Sequence, residues 1–508
     1  MSVPLPAPKG YSGNLGLLFS ERANESRPAI IDLRDEKKTK VITYKKLEAM
    51  CNGVARGLTK RGLKQGDRIG ILSLNRAEYI STLLGAMRAG VIPVPLNIKL
   101  PSNTISYIIN DANIQLIFAE NAFCNKIPFG IELIDFDTQF SKFLNFGTYE
   151  AFEPKPDSIA IQPYTSGSTG RPKGVLLTHY GQNWSRRILA HTRGTTEKDV
   201  ILVAAPLYHK NALNAVKQGL TAGATLPLLP QFSVERYIKA IGKYHCTVIS
   251  GVPTMISMIL NSELLERTDT NSVRTVMMGS APSSPQLLSS VKVQFPQASA
   301  LVVYGVTEGG PVPLGPHPEG KERPLGSIGA PYHGTAAKLV GGNSPEEGEL
   351  AVKNPGILAE YHNLPNETQN CIKDGWYLTG DICRRDKDGF YFFLSRTDDM
   401  FVCGGENIYP VEVEKILEQH PKVHQVLVLP FEHELKGHVP YAFIVPRENE
   451  QIAEDEIKKF SLEKGPAYMH PRRVFFLSIL PLTGTNKIDH ELIRTWVLED
   501  KLTINTKN

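Results

Sequence analysis

Short apolar runs alternate with amphipathic stretches over roughly the first 340 residues of the chain. A bounded apolar run is typical of a buried strand, and apolar side chains at every third or fourth position are typical of a helix with one buried face. This alternation predicts an α/β fold, with a large N-terminal domain of mainly parallel sheets flanked by helices. The predicted strands are residues 29–33, 68–74, 91–94, 116–119, 201–205, 248–249 and 273–278, and the predicted helices include 76–89, 234–244 and the stretch with Leu47, Met50, Val54 and Leu58 on one face.

The start of the helix at 76–89 carries a local signal. Asn75 is followed three positions later by Glu78. In a capping box, two such side chains each accept a hydrogen bond from an amide of the first turn. The pair therefore predicts a capping box that opens this helix.

The pattern changes after about residue 341. Strand-like runs at 348–352, 382–385 and 389–394 are separated by Asp-Gly or Asn-Pro turns, which predicts an antiparallel, β-rich subdomain over about 341–397. From Tyr409 the chain reads as helix, strand, strand, helix and a final helix after residue 487. We expect an N-terminal domain at 1–397 and a small, mobile α+β domain at 398–508.

Composition narrows the class of protein. The 508 residues are 41% hydrophobic and carry a net charge of only +4, without a block of like charges, so nothing suggests a nucleic-acid-binding face. The six cysteines are scattered without a C-x-x-C pair, which argues against a disulfide framework or a zinc site. The chain shows neither a signal-peptide pattern nor a transmembrane run, so we expect a cytoplasmic location.

The segment at 164–174, Tyr-Thr-Ser-Gly-Ser-Thr-Gly-Arg-Pro-Lys-Gly, carries the strongest chemical signal. It holds four Ser/Thr hydroxyls, three glycines, an Arg and a Lys, and no acid occurs from residue 158 to 196. Glycines let backbone N–H groups approach phosphate oxygens, hydroxyls donate further hydrogen bonds, and Lys173 supplies positive charge. Because strand-like runs lie on both sides, we interpret the segment as a phosphate-binding loop rather than a flexible linker. It lacks the spacing of a Walker A loop.

The chain resembles the acyl-adenylate-forming superfamily of AMP-binding enzymes, in its type of acyl-CoA synthetase or CoA ligase for fatty or aromatic acids. The resemblance rests on an ordered set of blocks that covers most of the chain from about residue 30. After the phosphate loop come GSAP at 279–282, YGVTE at 304–308, YLTGD at 377–381, RTD at 396–398, GGENIYPVEVE at 404–414 and PLTGTNK at 481–487.

The resemblance implies an ATP site with named residues. Tyr304 and the backbone at 279–282 would form the adenine slot, and Glu308 would bind Mg²⁺ through a hard carboxylate oxygen. Lys487 would enter the site for adenylation. Thr165, Lys173 and Glu308 would be the other catalytic residues. The full set of predicted nucleotide-binding residues is Thr165, Ser166, Gly167, Ser168, Thr169, Gly170, Lys173, Gly279, Ser280, Ala281, Pro282, Tyr304, Gly305, Thr307, Asp381, Arg396 and Lys487.

One pair in this set can be joined from the sequence itself. The segment at 386–389, Asp-Lys-Asp-Gly, reads as a turn about midway between Asp381 and Arg396. A hairpin would therefore bring Arg396 beside Asp381, where the carboxylate can accept ribose hydroxyls and the guanidinium can reach ribose or phosphate. A structural salt bridge is the alternative interpretation of the same pair.

The resemblance also implies an acyl tunnel, a thiol tunnel and a hinge. We expect Tyr208, His209, Val252, Gly305, Gly309 and Pro311 to contact the acid, and Gly404, Gly405 and Glu406 to line the path of CoA. Asp398 would be the hinge about which the small domain swings between adenylation and thioester formation.

These features predict an ATP-dependent carboxylic acid:CoA ligase, active as a monomer or homodimer. Its substrate would be an acid whose tail is uncharged and apolar or aromatic. Lys210 is expected to point outward, because a buried unpaired ammonium is costly; pointing inward, it would favour a second anionic or hydroxyl group on the acid. One alternative is an acyl-AMP ligase that loads a carrier protein, although the absence of an acid between residues 199 and 235 disfavours an amino-acid substrate. The other is an inactive nucleotide-binding relative, suggested by Leu482 and Asn486, where relatives have Arg and Gly.

Overall fold

The computed structural model describes residues 13–166, 171–281, 283–310, 313–332, 334–403, 405–483 and 488–502, with Ser166, Asn343 and Asn407 described by their backbone alone. Within these ranges every helix is too short or too polar to traverse a bilayer. The helices are Tyr44–Lys60, Ala77–Arg88, Ser102–Asp111, Phe140–Phe143, His179–Thr192, Lys210–Ala222, Val234–Tyr244, Pro253–Leu260, Glu263–Glu266, Pro285–Gln294, Pro365–Cys371, Pro410–Leu417, Glu454–Lys464 and His490–Leu498.

Two fully parallel sheets confirm the predicted α/β fold of the N-terminal part. One has the strand order Ile92–Pro95, Arg68–Leu72, Ile114–Ala119, Glu132–Asp135, and the other Val248–Gly251, Thr275–Gly279, Ser299–Val303. A third sheet is mixed: Pro28–Asp32 pairs in parallel with Leu226–Leu228 and antiparallel with Lys40–Thr43.

The β-rich part is antiparallel, as the sequence predicts. The strands Ala336–Ser344, Glu347–Lys353, Trp376–Arg385, Ile372–Lys373 and Tyr391–Arg396 form one sheet. A second antiparallel sheet holds Ile159–Ile161, Tyr164–Ser166, Pro172–Thr178 and Glu360–Tyr361, and a short pair joins Leu314–Gly315 to Ala330–Pro331.

The C-terminal part has its own sheet and its own core. Its strands are Glu406–Ile408, Phe401–Cys403, Gly437–Pro446, Val423–His433 and Arg473–Phe476. The sequence predicted only two strands here, so Phe401–Cys403, Glu406–Ile408 and Arg473–Phe476 were missed. Its buried hydrophobic clusters contain only residues from Phe401 onward, whereas the clusters of the larger part end at Phe393.

Two local predictions need correction. The capping box is wrong: helix Ala77–Arg88 begins after Arg76, which makes no side-chain cap, and the side chain of Asn75 instead donates to Ala205 O and Leu229 O at 2.9 and 3.0 Å. Glu78 is drawn into ion pairs with Arg34, Arg76 and Lys40. The strand predicted at 201–205 is also wrong. These residues form single β-bridges, Ile201 with Val248 and Val203 with Leu228, but no regular strand.

Candidate functional site

The carboxyl ends of the three-stranded parallel sheet line up along one edge. Gly279, at the end of the middle strand, lies opposite Val303 at the end of its neighbour. Val252, Ser280 and Tyr304 are the first residues beyond the three strands. Ligands of open parallel sheets bind beyond such carboxyl ends, so the topology brings the predicted adenine and acyl segments together.

Gly279 fits the close approach of backbone that was predicted for residues 279–282. A Cβ atom at this position would lie 2.6 Å from Val303 Cγ2 and 2.8 Å from the Val303 carbonyl oxygen. Ser280 follows with φ of +67°, in the left-handed region that is costly for most residues. The chain therefore turns sharply beside Tyr304, and any side chain larger than hydrogen at 279 would push the two strand ends apart.

The predicted hairpin between Asp381 and Arg396 is confirmed. These residues face each other in the register of strands Trp376–Arg385 and Tyr391–Arg396, with Arg396 Nη1 3.2 Å from Asp381 Oδ1. The hydroxyl of Tyr304 donates to the other carboxylate oxygen, Asp381 Oδ2, at 2.5 Å. Tyr304, Asp381 and Arg396 therefore form one cluster, which fits both a ribose site and the alternative of a structural salt bridge.

Asp381 is buried, with 3% of its surface exposed, and burial raises the pKa of its carboxyl against the opposing effect of Arg396. Each carboxylate oxygen can accept two hydrogen bonds. Tyr304 and Arg396 use one position on each oxygen, which leaves acceptor capacity for the two hydroxyls of a ribose. The role in ribose binding stays a prediction.

The phosphate-loop segment forms a β-hairpin whose arms are described and whose tip is not. Strand Tyr164–Ser166 pairs antiparallel with Pro172–Thr178, and Thr165 lies opposite Lys173. Strand Glu360–Tyr361 pairs with the outer side of Pro172–Thr178. Thr165 and Lys173, which the sequence places eight positions apart, are therefore held side by side.

Glu308 lies at the base of this hairpin. Its Oε1 atom accepts a hydrogen bond from the hydroxyl of Thr165 at 2.8 Å and another from the hydroxyl of Tyr361 at 3.3 Å. Its backbone carbonyl accepts from the amide of Leu358 at 2.7 Å. Lys173 Nζ lies 5.5 Å from the centre of the Tyr361 ring. Tyr361 thus links the predicted metal ligand to the predicted phosphate ligand.

The predicted metal site at Glu308 has few protein ligands. Within the described ranges no group of three or more His, Cys, Asp or Glu side chains converges. Glu308 supplies one carboxylate, and its Oε1 atom accepts the hydrogen bonds from Thr165 and Tyr361. Such a site fits Mg²⁺, which is commonly held by one or two carboxylates together with substrate phosphates.

The predicted acid-binding residues come from three separate segments of the chain. Tyr208 is buried in a hydrophobic cluster, and its ring centre is 4.6 Å from that of His209, which precedes helix Lys210–Ala222. Val252 is buried before helix Pro253–Leu260. Gly309 is fixed by a hydrogen bond of 2.9 Å from Asn354 Nδ2 to its carbonyl oxygen.

The outward orientation predicted for Lys210 is wrong. Its ammonium turns inward and donates to the carbonyl oxygen of Thr307, between Gly305 and Glu308. Burial lowers the pKa of Lys210 to about 7, with Glu308 acting in the opposite direction. The backbone oxygen of a neighbouring loop offers a partner that the sequence could not show, which removes part of the cost of burying the amine.

Gly405 and Glu406 lie in the small C-terminal sheet, in the hairpin that joins Phe401–Cys403 to Glu406–Ile408. Gly405 is exposed and has φ of +93°. Among the described residues, no hydrogen bond or ion pair joins these two positions to Glu308 or Asp381. Asp398 is exposed in a turn just before this hairpin.

A basic cluster lies near this hairpin and was not selected from the sequence. Cys403 pairs with Gly437, the residue after Lys436. The charges of Arg472, Lys458 and Lys436 each lower the pKa of His470, although burial is the larger cause. These residues are spread over more than thirty positions of the chain, so no short motif could have revealed the cluster.

Eight predicted site residues and one noted departure lie outside the described residues, so their predictions stay as they were. They are Gly167, Ser168, Thr169, Gly170, Pro282, Pro311, Gly404 and Lys487, with Asn486 as the departure.

The segments assembled here match a known family over most of the chain. The family of AMP-binding enzymes matches residues 19–362, and the C-terminal domain of AMP-binding enzymes matches residues 412–487. The chain belongs to the AMP-binding enzymes. The family resemblance inferred from the motif blocks is thereby confirmed.

Relatives of this AMP-binding enzyme include CoA ligases. The chain is 32% identical to 4-coumarate–CoA ligase of Vanilla planifolia, over 91% of this chain and 89% of that protein. It is 31% identical to feruloyl-CoA synthase of an Amycolatopsis species, over 88% of this chain and 92% of that protein. The crystal structure of ATP-bound MatB from Rhodopseudomonas palustris is similar with a TM-score of 0.87 and 26% identity, covering 95% of this chain and 99% of that one.

Proposed function

We propose that this AMP-binding enzyme is an ATP-dependent carboxylic acid:CoA ligase. It joins an acid to ATP as an acyl adenylate with release of pyrophosphate, and then transfers the acyl group to CoA with release of AMP. The observation that carries the proposal is that one short segment, residues 304–308, contacts both groups of predicted ligands. Tyr304 bonds to Asp381, and Glu308 bonds to Thr165, which lies opposite Lys173. Relatives named as CoA ligases support CoA as the acceptor.

In the first half-reaction, the acid's carboxylate attacks the α-phosphorus of ATP in line. Lys173 and the hydroxyl of Thr165 stabilise the negative charge that spreads over the phosphate oxygens. Asp381 and Arg396 hold the ribose, and the face of Tyr304 packs on the adenine. Glu308 would hold Mg²⁺, which supplies charge neutralisation at the phosphates. No protein nucleophile is needed, and Lys487 completes the adenylation site.

In the second half-reaction, the sulfur of CoA attacks the carbonyl carbon of the acyl adenylate, and AMP leaves. The small domain from 398 onward turns at Asp398 so that residues 404–406 face the adenylate. The separate hydrophobic cores on either side of residues 394–400 support a division of the chain there. The same domain carries a group of basic residues that would bind the phosphates of CoA: Lys436, His470 and Arg472.

The acid is proposed to be an aromatic or apolar monocarboxylic acid. Tyr208 and Val252 present largely apolar surface, and the names of two relatives refer to aromatic acids, 4-coumarate and ferulate. Lys210 turns inward, which on its own would favour a second polar group on the acid. Its ammonium already donates a hydrogen bond to Thr307 O, however, so it has a partner without any group from the substrate.

The test is a panel of acids assayed with the purified chain, ATP and Mg²⁺, with CoA present or omitted. Cinnamate, 4-coumarate, ferulate, octanoate, succinate and malonate would be compared by pyrophosphate exchange and by AMP release. We expect exchange with at least one aromatic or apolar acid in the absence of CoA, and sustained AMP release only with CoA.

Three outcomes would contradict parts of this proposal. Exchange without any transfer to CoA would favour a carrier protein as acceptor. Absence of exchange with every acid would favour an inactive nucleotide-binding relative. A dicarboxylate with a kcat/KM above that of every monocarboxylate would show that the proposed class of acid is wrong.

A further inference from the structure

A small internal cavity of about 20 Å³ lies beneath the phosphate hairpin, where helix Lys210–Ala222 packs against helix His179–Thr192. This volume holds about one water-sized group. The cavity wall is apolar except for three polar side chains, Gln182, Lys210 and Lys217. No acidic side chain lines it.

The polar groups around the cavity offer donors and almost no free acceptor. Lys217 is 5% exposed and Gln182 is 1% exposed, and Lys217 Nζ donates to Gln182 Oε1 at 2.7 Å. The Nε2 atom of Gln182 has no hydrogen-bond partner among the described residues. Lys210 uses one of its three N–H donors on Thr307 O. The hydrogen-bonding capacity that remains around the cavity is therefore mainly that of N–H donors.

Two lysine amines also lie close together at the cavity. Lys210 and Lys217 are seven positions apart on one helix, close enough that the charge of Lys210 lowers the pKa of Lys217, after the larger effect of burial. Within the described ranges no carboxylate forms an ion pair with either lysine, and Glu308, the acid that acts on Lys210, is engaged by Thr165. Buried charges are ordinarily paired, because an unpaired ammonium in an apolar setting is costly.

We propose that this cavity binds one small monovalent anion of the halide class, held by Lys210, Lys217 and the amide of Gln182. A cavity of about 20 Å³ suits a single-atom anion better than a carboxylate or phosphate. The anion would keep the two amines protonated. The anion would be connected to the residue before Glu308, because Lys210 donates to the carbonyl oxygen of Thr307. Binding of the anion does not depend on catalysis.

The direct test is crystallographic. Crystals of the full chain would be grown or soaked in sodium bromide, and anomalous differences would be measured at the bromine edge. We expect a peak within hydrogen-bonding reach of Lys217 Nζ and Gln182 Nε2. Density for a water molecule without an anomalous peak at saturating bromide would overturn the proposal.

A solution test separates a real site from bromide bound at crystal concentration only. The Tm would be compared in bromide and in gluconate at equal ionic strength, because an ion that binds only the folded state raises Tm. We expect bromide to raise the Tm of the wild-type chain by on the order of 1 °C or more. Equal Tm values in the two salts would overturn the proposal even if a crystal peak were seen.

Two matched variants assign the effect to the cavity. Lys217→Met removes the buried amine with little change in shape and should abolish the preference for bromide. Lys239→Met removes a lysine that is 57% exposed on another helix and should retain it. A preference that survives Lys217→Met would place the anion elsewhere. If that variant does not fold, Gln182→Leu tests the same site. None of these measurements depends on CoA ligase activity.

Discussion

Replacing Glu308 with Gln separates the catalytic role of this residue from its role in the fold. Gln has the same shape, and its Oε1 atom can still accept the 2.8 Å hydrogen bond from Thr165 and the 3.3 Å bond from Tyr361. The substitution removes the negative charge that would bind Mg²⁺. We therefore expect Glu308→Gln to fold normally and to adenylate poorly.

The magnitudes follow from the environment of the side chain. Glu308 is 9% exposed. Its hydrogen bonds weaken when the ionised acceptor becomes neutral, which lowers the free energy of unfolding by about 1 kcal/mol. Part of this loss is offset because the variant no longer buries a charge. The free energy of unfolding should change by no more than about 1 kcal/mol. Loss of one preorganised electrostatic group typically costs about a hundred- to a thousand-fold in rate, and we expect this loss in pyrophosphate exchange.

The assay is pyrophosphate exchange with a competent acid at a series of Mg²⁺ concentrations, alongside thermal unfolding. Tyr361→Phe is the matched control, because it removes one hydrogen bond from Glu308 Oε1 and leaves the carboxylate in place. That control should lose less than about tenfold in rate. If Glu308→Gln keeps the wild-type dependence on Mg²⁺, Glu308 does not bind the metal. If both variants lose rate and stability in parallel, Glu308 acts only through the fold.

The other predictions concern the small domain and the second half-reaction. Asp398→Pro should leave pyrophosphate exchange intact and slow thioester formation, because proline fixes φ at the proposed hinge; equal loss of both steps would argue against a hinge there. Lys487→Ala should reduce exchange by about a hundred- to a thousand-fold and spare the CoA-dependent use of a supplied acyl adenylate; loss of neither step would leave Lys487 without a catalytic role. Arg472→Gln should raise the KM for CoA without changing exchange, and an unchanged KM would remove Arg472 from the CoA site. Burial raises the pKa of Glu414 from 4.5 to about 8, so the folded carboxyl keeps its proton where the unfolded one has lost it, and stability falls as pH rises through that interval. Glu414→Gln should remove up to about 1.4 kcal/mol per pH unit of this slope in denaturant unfolding, and an unchanged slope would contradict the shift.

Local signals in the sequence were sufficient where neighbouring residues decide the conformation. The Asp-Lys-Asp-Gly turn at 386–389 joins two strands of suitable length, so the pairing of Asp381 with Arg396 could be deduced before the structure was known. The same holds for the α/β alternation and for strands on either side of the phosphate loop. The ordered motif blocks identified the family, which the family match confirms.

Local signals misled where distant backbone competes for the same side chain. Asn75 and Glu78 have the right spacing for a capping box. The side-chain amide of Asn75 instead donates to Ala205 O and Leu229 O, which lie more than a hundred positions away in the chain. The cost of burying an unpaired ammonium predicts that Lys210 points outward. The fold supplies the carbonyl of Thr307.

The sequence by itself determined the class of fold, the family and the chemical character of each motif, since these depend on residue type, order and short-range periodicity. Only the tertiary structure decided which of those residues meet: Tyr361 between Lys173 and Glu308, Tyr304 on Asp381, and two lysines of one helix around a donor-lined cavity. The physical reason is that hydrogen bonds and burial act between groups that are close in space. Chain folding brings such groups together across separations that no sequence pattern encodes.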